Sequence, residues 1–381
     1  VRRSWLIWLA LRALLVAIVL GGVPWPEQVN DLAIYADWAR ESLSEGRFPT
    51  DERWQYPPLA GPVLLLGWLL PGERLGYVLL FLAFDAAIMA LLSHQARVTG
   101  ALGGLRLWAL AALITGPLML ARFDVVPTAL AVAAVLVAAR PLASGALAAT
   151  GAWVKVWPAL VVSGLRRRDL PAGVAGALLA SAAIAGILLV TTQDPLSFIS
   201  GQAERGLQIE SVFALPFLLA GALGADVTIV YQYGAHEVVA SGVQGVAAAA
   251  VATTLLLLGL VALQRLRGAL EHLAAADVAL AAVLFTVVTS RVFSGQYFVW
   301  LLGLAAVCLG DPTTRMRRTV GLVVASGAAA QLVYPWLYTA LLEGHPVALA
   351  VQTLRVGLIV AATVSAVVVL VRRPDTQPAS A

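Results

Sequence analysis

The chain of 381 residues holds one cysteine, four histidines and, among its 25 basic residues, a single lysine, Lys155. Cys308 lies in an apolar run, which excludes a disulfide and a thiolate metal site. His94, His236, His272 and His345 are scattered without ligand spacing, so no metal site is expected. Charge is scarce as well: 12% of residues are charged and 60% hydrophobic, with a mean hydropathy of +0.88. A water-soluble chain of this length does not have that balance; a polytopic membrane protein does. The isoelectric point near 9.5 does not point to nucleic acid. The arginines gather at the ends of apolar segments, as orientation signals do. No internal repeat and no soluble domain stand out.

What the chain has is apolar segments. The first, Trp5–Val23, follows Arg2 and Arg3, lacks a small-x-small cleavage site and reads as an uncleaved signal anchor. Residues 24–56 then form a first outer loop. Pro57–Leu70 is short for a span, and Leu142–Leu165 is broken near Trp157-Pro158. If both enter the membrane and return, Arg97, Arg106 and the run at 166–168 stay inside, and about ten full spans remain; counting both as crossings gives about twelve. The first arrangement is preferred. It brings Asp31, Arg122 and Asp124 to the outer side and allows Lys155 to join them. Arg372 and Arg373 hold the last span, and 374–381 is expected to be a disordered cytoplasmic tail. The class is all-α and polytopic, with one membrane-embedded domain over 1–373.

The polar stretch Val29–Pro58 organises the rest. A helix from Asn30, its expected N-cap, to Gly46 and Pro49 puts Asp31, Tyr35 and Trp38 on one face. Asp31 at a membrane surface beside aromatics is a candidate general base; the alternative is a solvated helix whose acids only keep it soluble. Arg122 and Asp124 read as ligands for a phosphate and a hydroxyl, or as span-end anchors. Lys155, between Trp153 and Trp157, reads as a cation for a phosphate at the lipid boundary, or as a snorkelling side chain with belt tryptophans. The loop 201–211 offers Gln202, Arg205, Gln208 and Glu210, and 290–297 offers Ser290, Arg291, Gln296 and Tyr297. Asp85, inside a span, is either functional or paired within the bundle.

In chain order these motifs are D-L-x-x-Y (31–35), Gly46, Y-P-P (56–58), R-F-D (122–124), the lysine segment ending in W-P (157–158), RGLQIES (205–211) and S-G-Q-Y-F-V-W-L-L (294–302). The set resembles the integral membrane glycosyltransferases of the GT-C superfamily. It is most similar to the bacterial polyprenyl-phosphate-mannose-dependent type of glycosyltransferase family 87, and RGLQIES is familiar from actinobacterial members. The likeness runs from about Asp31 to Leu302; Gly295 departs from it, since the family pattern usually has Pro there.

The resemblance implies a GT-C helical bundle in a bacterial plasma membrane, with its cavity on the outer, periplasmic face. It implies transfer of a sugar, usually mannose, with inversion, from a polyprenyl phosphate donor to a hydroxyl of a glycolipid or cell-envelope glycan acceptor. No metal or other cofactor is implied. Asp31 then corresponds to the catalytic carboxylate. The leaving phosphate needs cations rather than an acid, and Lys155, Arg122, Arg205 and Arg291 are the candidates. Tyr35, Asp124, Gln208, Glu210, Gln296 and Tyr297 complete the expected substrate contacts; Tyr35 and Trp38 either stack on a sugar or anchor their helix in the interface. Two other classes stay open. A transporter or flippase of lipid-linked intermediates favours inverted repeats and helices broken at the midplane. A non-catalytic subunit of an envelope-assembly machine makes Asp31 replaceable.

Overall fold

A computed structural model describes residues 1–21, 26–46, 48, 54, 56–191 and 206–372. The chain opens with α1 (Arg2–Gly21) and α2 (Pro26–Glu45). Proline's fixed φ suits a first helical position, so α2 begins at Pro26, and Asn30, expected as its N-cap, lies inside the helix. Gly46, at φ 68°, ends it as expected. Tyr35, Trp38 and Ser42 form its buried face, next to Asp31, while Asp37 and Arg40 are exposed. Pro49 lies outside the described residues.

α3 (Ala60–Leu69) has ten residues, about 15 Å of helix against a hydrocarbon core of about 30 Å. Pro71-Gly72 turns it back onto α4 (Glu73–Thr99), and the two approach closely because a Cβ at Gly76 would strike the Gly67 carbonyl. Short pieces follow: α5 (Gly103–Leu110), α6 (Ala112–Thr115) and α7 (Leu118–Ala121), broken at Gly116-Pro117, then α8 (Val125–Leu136) and α9 (Pro141–Val154). The break expected near Trp157-Pro158 falls at Lys155, whose backbone is extended (φ −159°, ψ 124°) before the 3₁₀ turn Trp157–Gly164. α10 (Leu170–Thr191) returns along α9, backbone against backbone at Gly145 and Gly173.

Among the described residues a small antiparallel sheet, in the order β1–β3–β2, is the departure from helix. It joins β1 (Leu207–Gln208), β2 (Val227–Gln232) and β3 (Ala235–Ala240), with α11 (Leu215–Ala222) between β1 and β2. Sequence reading assigns no element between Leu223 and Val243. Both turn residues have positive φ, Tyr233 at 51° and Gly234 at 73°, as a two-residue hairpin of the I′ kind requires. The chain closes with α12 (Val243–Leu266), α13 (Ala275–Val288), α14 (Tyr297–Leu309), α15 (Arg317–Gln331), a π-helical turn (Leu332–Trp336), α16 (Tyr338–Leu342) and α17 (Pro346–Val371).

The architecture is that of an all-α multi-pass membrane protein, 76% helical. The described residues hold six helices long and apolar enough to cross: α1, α4, Arg167–Leu188, α12, Arg317–Trp336 and α17. Hydropathy leads to an expectation of ten to twelve full spans; six shorter apolar helices of 10–17 residues accompany the six long ones among the described residues. Several of the apolar runs counted as spans are short helices, and two of them, α13 and α14, with 14 and 13 residues, form the buried centre. Asp85 pairs within the bundle. Arg12 Nε donates to its Oδ2 at 2.7 Å and Trp8 Nε1 at 2.9 Å, and Arg12 Nη1 and Nη2 also reach the carbonyls of Ala109 and Trp108.

Candidate active site

The tripeptide Arg122-Phe123-Asp124 links the elements of the site. α7 stops at Ala121, Arg122 is extended (φ −126°, ψ 142°), and Asp124 leads into α8. Arg122 forms an ion pair with Asp31 of α2. Asp124 Oδ1 accepts hydrogen bonds from Lys155 Nζ and from Trp300 Nε1, each at 2.6 Å. Phe123, fully buried between them, packs edge-on against Tyr35 (5.8 Å) and Tyr56 (4.8 Å). Three residues thus join α2, the break after α9, and α14.

The break matters because an extended Lys155 leaves the α9 helix and enters a box of rings. Its ammonium lies 5.0 Å from the Phe123 and Trp300 centroids and 5.6 Å from those of Tyr56 and Tyr297. Trp300 is itself held between Trp157 (5.2 Å) and Tyr297 (4.0 Å) in a stack. Partly desolvated cation–π contacts of this kind contribute about 1–2 kcal/mol each way from the exposed to the dry limit. Asp124 and the ring faces thus hold the Lys155 side chain at this site.

Asp31, Tyr35, Arg122, Lys155, Gln208, Glu210, Arg291, Gln296 and Tyr297 all line one cavity of about 1370 Å³. Two of the expected contacts have other duties. Asp124, read as a hydroxyl ligand, is 1% exposed and stands behind Lys155, off the cavity wall. Tyr35, read as a substrate contact, is also 1% exposed and seats α2 against Tyr77 and Phe123. Burial raises its phenol well above the usual range, so it stays neutral. Gln202 and Arg205 lie outside the described residues.

The loop 206–211 reaches the cavity because it is pinned from two sides. The Gln208 side chain accepts from the Phe293 amide at 2.8 Å and donates to Ser294 Oγ at 2.9 Å. From α17, Arg355 Nη1 donates to the Glu210 carbonyl at 2.6 Å and Nη2 to the Phe293 carbonyl at 2.9 Å. Glu210 Oε2 accepts from Gln208 Nε2 at 3.0 Å, while Oε1 is buried with no hydrogen-bond partner among the described residues. Burial pushes the Glu210 acid up to about 7, against the pull of Arg355 and Arg122.

Sequence reasoning missed Arg355, Trp300 and a set of rings at Tyr231, His236, Tyr334 and Tyr338. Arg355 had a readable signal: a lone charge in the apolar run after Pro346. The rings had none, since they come from separate segments. Part of the remaining wall is apolar, with Val156, Leu160, Val251, Leu255 and Leu258. Among the described residues no three His, Cys, Asp or Glu side chains converge to offer a metal its usual ligands.

Chemically, the cavity presents a carboxylate held by a guanidinium and an ammonium held by a buried carboxylate. The first is placed to accept a proton, the second to hold an anion. Comparison with protein-family models, with curated proteins and with solved structures finds no match for this chain.

Proposed function

We propose that the chain is a membrane glycosyltransferase of the GT-C type. It moves a sugar, mannose first among the candidates, from a polyprenyl phosphate to a hydroxyl of a glycolipid or envelope glycan. The active site faces outward from a bacterial plasma membrane. The observation that carries this reading is that Asp31 and Lys155, on distant segments, line one cavity that also has an apolar wall. The ordered motifs from Asp31 to Leu302 support it as a resemblance, without help from any relative.

In this mechanism the prenyl chain lies along Val156, Leu160, Val251 and Leu255, and the phosphate meets Lys155 and Arg291. Arg122 fixes the position of Asp31. The acceptor hydroxyl gives its proton to Asp31 while its oxygen attacks the anomeric carbon from the face opposite the phosphate. The carbon–oxygen bond to phosphate breaks, and its electron pair leaves on the phosphate oxygen. No acid is needed, because the leaving group is a stable anion that the cations hold. Inversion follows from the single displacement.

The test is sugar transfer from labelled polyprenyl phosphomannose in membranes carrying wild-type chain or Asp31→Asn at matched expression. Loss of about 10²–10⁴-fold in the variant is expected of a general base. Unchanged transfer removes Asp31 from that role. No transfer by wild type from any lipid-linked sugar turns the assignment toward a flippase or an assembly subunit.

A further inference from the structure

Beyond the Asp31–Arg122 pair the cavity holds rings that the mechanism above does not use. Tyr231 and His236 face each other across the hairpin, with centroids 5.1 Å apart. His236 packs on Tyr338 at 5.6 Å, and its Nδ1 lies 3.2 Å from the Tyr338 hydroxyl. Tyr334 meets Tyr338 edge-on at 5.0 Å. All four line the cavity, and Tyr231 is 69% exposed.

These rings adjoin the proposed base. The Arg122 guanidinium hydrogen-bonds the Tyr334 phenol, so the partner of Asp31 is also the neighbour of the ring group. Glu210 lies within electrostatic reach of both Arg122 and Tyr338, and its Oε1 is a buried acceptor with no donor among the described residues. Burial lowers the His236 pKa below its ordinary value, so the imidazole is neutral at neutral pH.

This chemistry selects a ligand class. The region offers ring faces, phenol hydroxyls, a neutral imidazole and a waiting carboxyl oxygen. An anionic head group gains little beside Glu210, since Arg122 is engaged by Asp31 and Tyr334. An alkyl chain leaves the phenols and Glu210 unsatisfied. A saccharide ring suits both features: its C–H face lies on an aromatic ring, and its hydroxyl edge supplies donors.

We propose that this aromatic end is the acceptor subsite, taking a saccharide ring with its face on Tyr231 and a hydroxyl donated to Glu210 Oε1. The proposal deepens the glycosyltransferase reading and rests on it for the word acceptor: donor phosphate at Lys155, acceptor ring at the hairpin, and Asp31 between.

The experiment uses the full chain in lipid nanodiscs and saturation-transfer NMR. The probes are the methyl glycosides of mannose, glucose, galactose and arabinose, together with myo-inositol. At least one is expected to receive saturation at its ring protons. Tyr231→Ala, at an exposed strand position, is expected to reduce that signal at least fivefold, and Tyr231→Phe to retain it. Glu210→Gln is the second variant, expected to weaken binding at least threefold. No saturation of any probe, or saturation that survives Tyr231→Ala, overturns the subsite. So does a signal lost in Lys155→Ala but kept in Tyr231→Ala, since it places the saccharide at the donor end. Where wild type transfers sugar, Tyr231→Ala is expected to raise acceptor KM at least tenfold with kcat within threefold. Saccharide binding without any transfer leaves the subsite standing and removes the enzyme reading. Transfer with unaltered acceptor KM does the reverse.

Discussion

Lys155 shows how much one residue type decides. Its ammonium is compact enough to touch Asp124 at 2.6 Å and still lie among four rings. A guanidinium is planar and presents its donors in a fixed fork, which one carboxylate oxygen among ring faces does not match. Lys155→Arg therefore keeps the charge and loses the geometry. The expected outcome is a rise of at least tenfold in donor KM, read from initial rates against polyprenyl phosphomannose. A rise no larger than twofold shows that any cation serves. At the residue scale the sequence singles out the two charges that line the cavity. A lone lysine in an apolar run and a carboxylate among aromatics are conspicuous because each is costly to bury. What stayed hidden was the division of labour at 122–124. Whether Asp124 faces the cavity or stands behind Lys155 depends on the backbone at Arg122, which residue types alone do not set.

At the scale of elements, the loop 206–211 depends on α17 for its position, and Glu210 carries a cost for being there. Its acid is raised from 4.5 to about 7, so between those values the folded chain binds a proton that the unfolded chain has released. The unfolded state binds fewer protons, and stability falls as pH rises through that window. Glu210→Gln removes the fall. The variant is expected to match wild type near the acid end and exceed it above about pH 7. The ceiling is about 3 kcal/mol at 1.36 kcal/mol per pKa unit. Thermal midpoints in nanodiscs from about pH 5 to about 8 check this; parallel curves for the two proteins count against it. The hairpin 227–240 was not read from the sequence. Its strands, VTIVYQ and AHEVVA, do not alternate strictly, its turn is Tyr-Gly rather than the Asn-Gly that signals a hairpin, and the surrounding hydropathy drowned a 14-residue feature. The break near Trp157-Pro158 was read from the sequence, whereas those at Gly116-Pro117 and Tyr334-Pro335, inside continuous apolar runs, were not.

At the scale of the molecule, one buried ion pair fastens the first helix to the rest. Arg12 in α1 holds Asp85 in α4 and the carbonyls at the end of α5, all at 2% exposure or less for the two charges. Removing one member leaves an uncompensated buried charge, and Arg12→Leu is expected to cost about 3–5 kcal/mol. Replacing both, as Arg12→Met with Asp85→Leu, is expected to recover most of that loss. Thermal unfolding of the purified single and double variants decides it; a double variant no better than the single one assigns the pair a role beyond charge balance. The same scale shows what hydropathy leaves open. Hydropathy reports that a segment avoids water and says nothing of whether protein or lipid surrounds it. α13 is as apolar as α12, yet α13 is buried almost throughout, while Leu255 of α12 is 67% exposed.

That exposure has a kinetic consequence. Val251 and Leu255 line the cavity and are 43% and 67% exposed, on a helix apolar enough to cross the bilayer. A ligand arriving by that wall never dissolves in bulk water. Its effective concentration is a mole fraction in two dimensions. Adding inert phospholipid at constant total ligand dilutes it and slows encounter, whereas changing the aqueous volume does nothing.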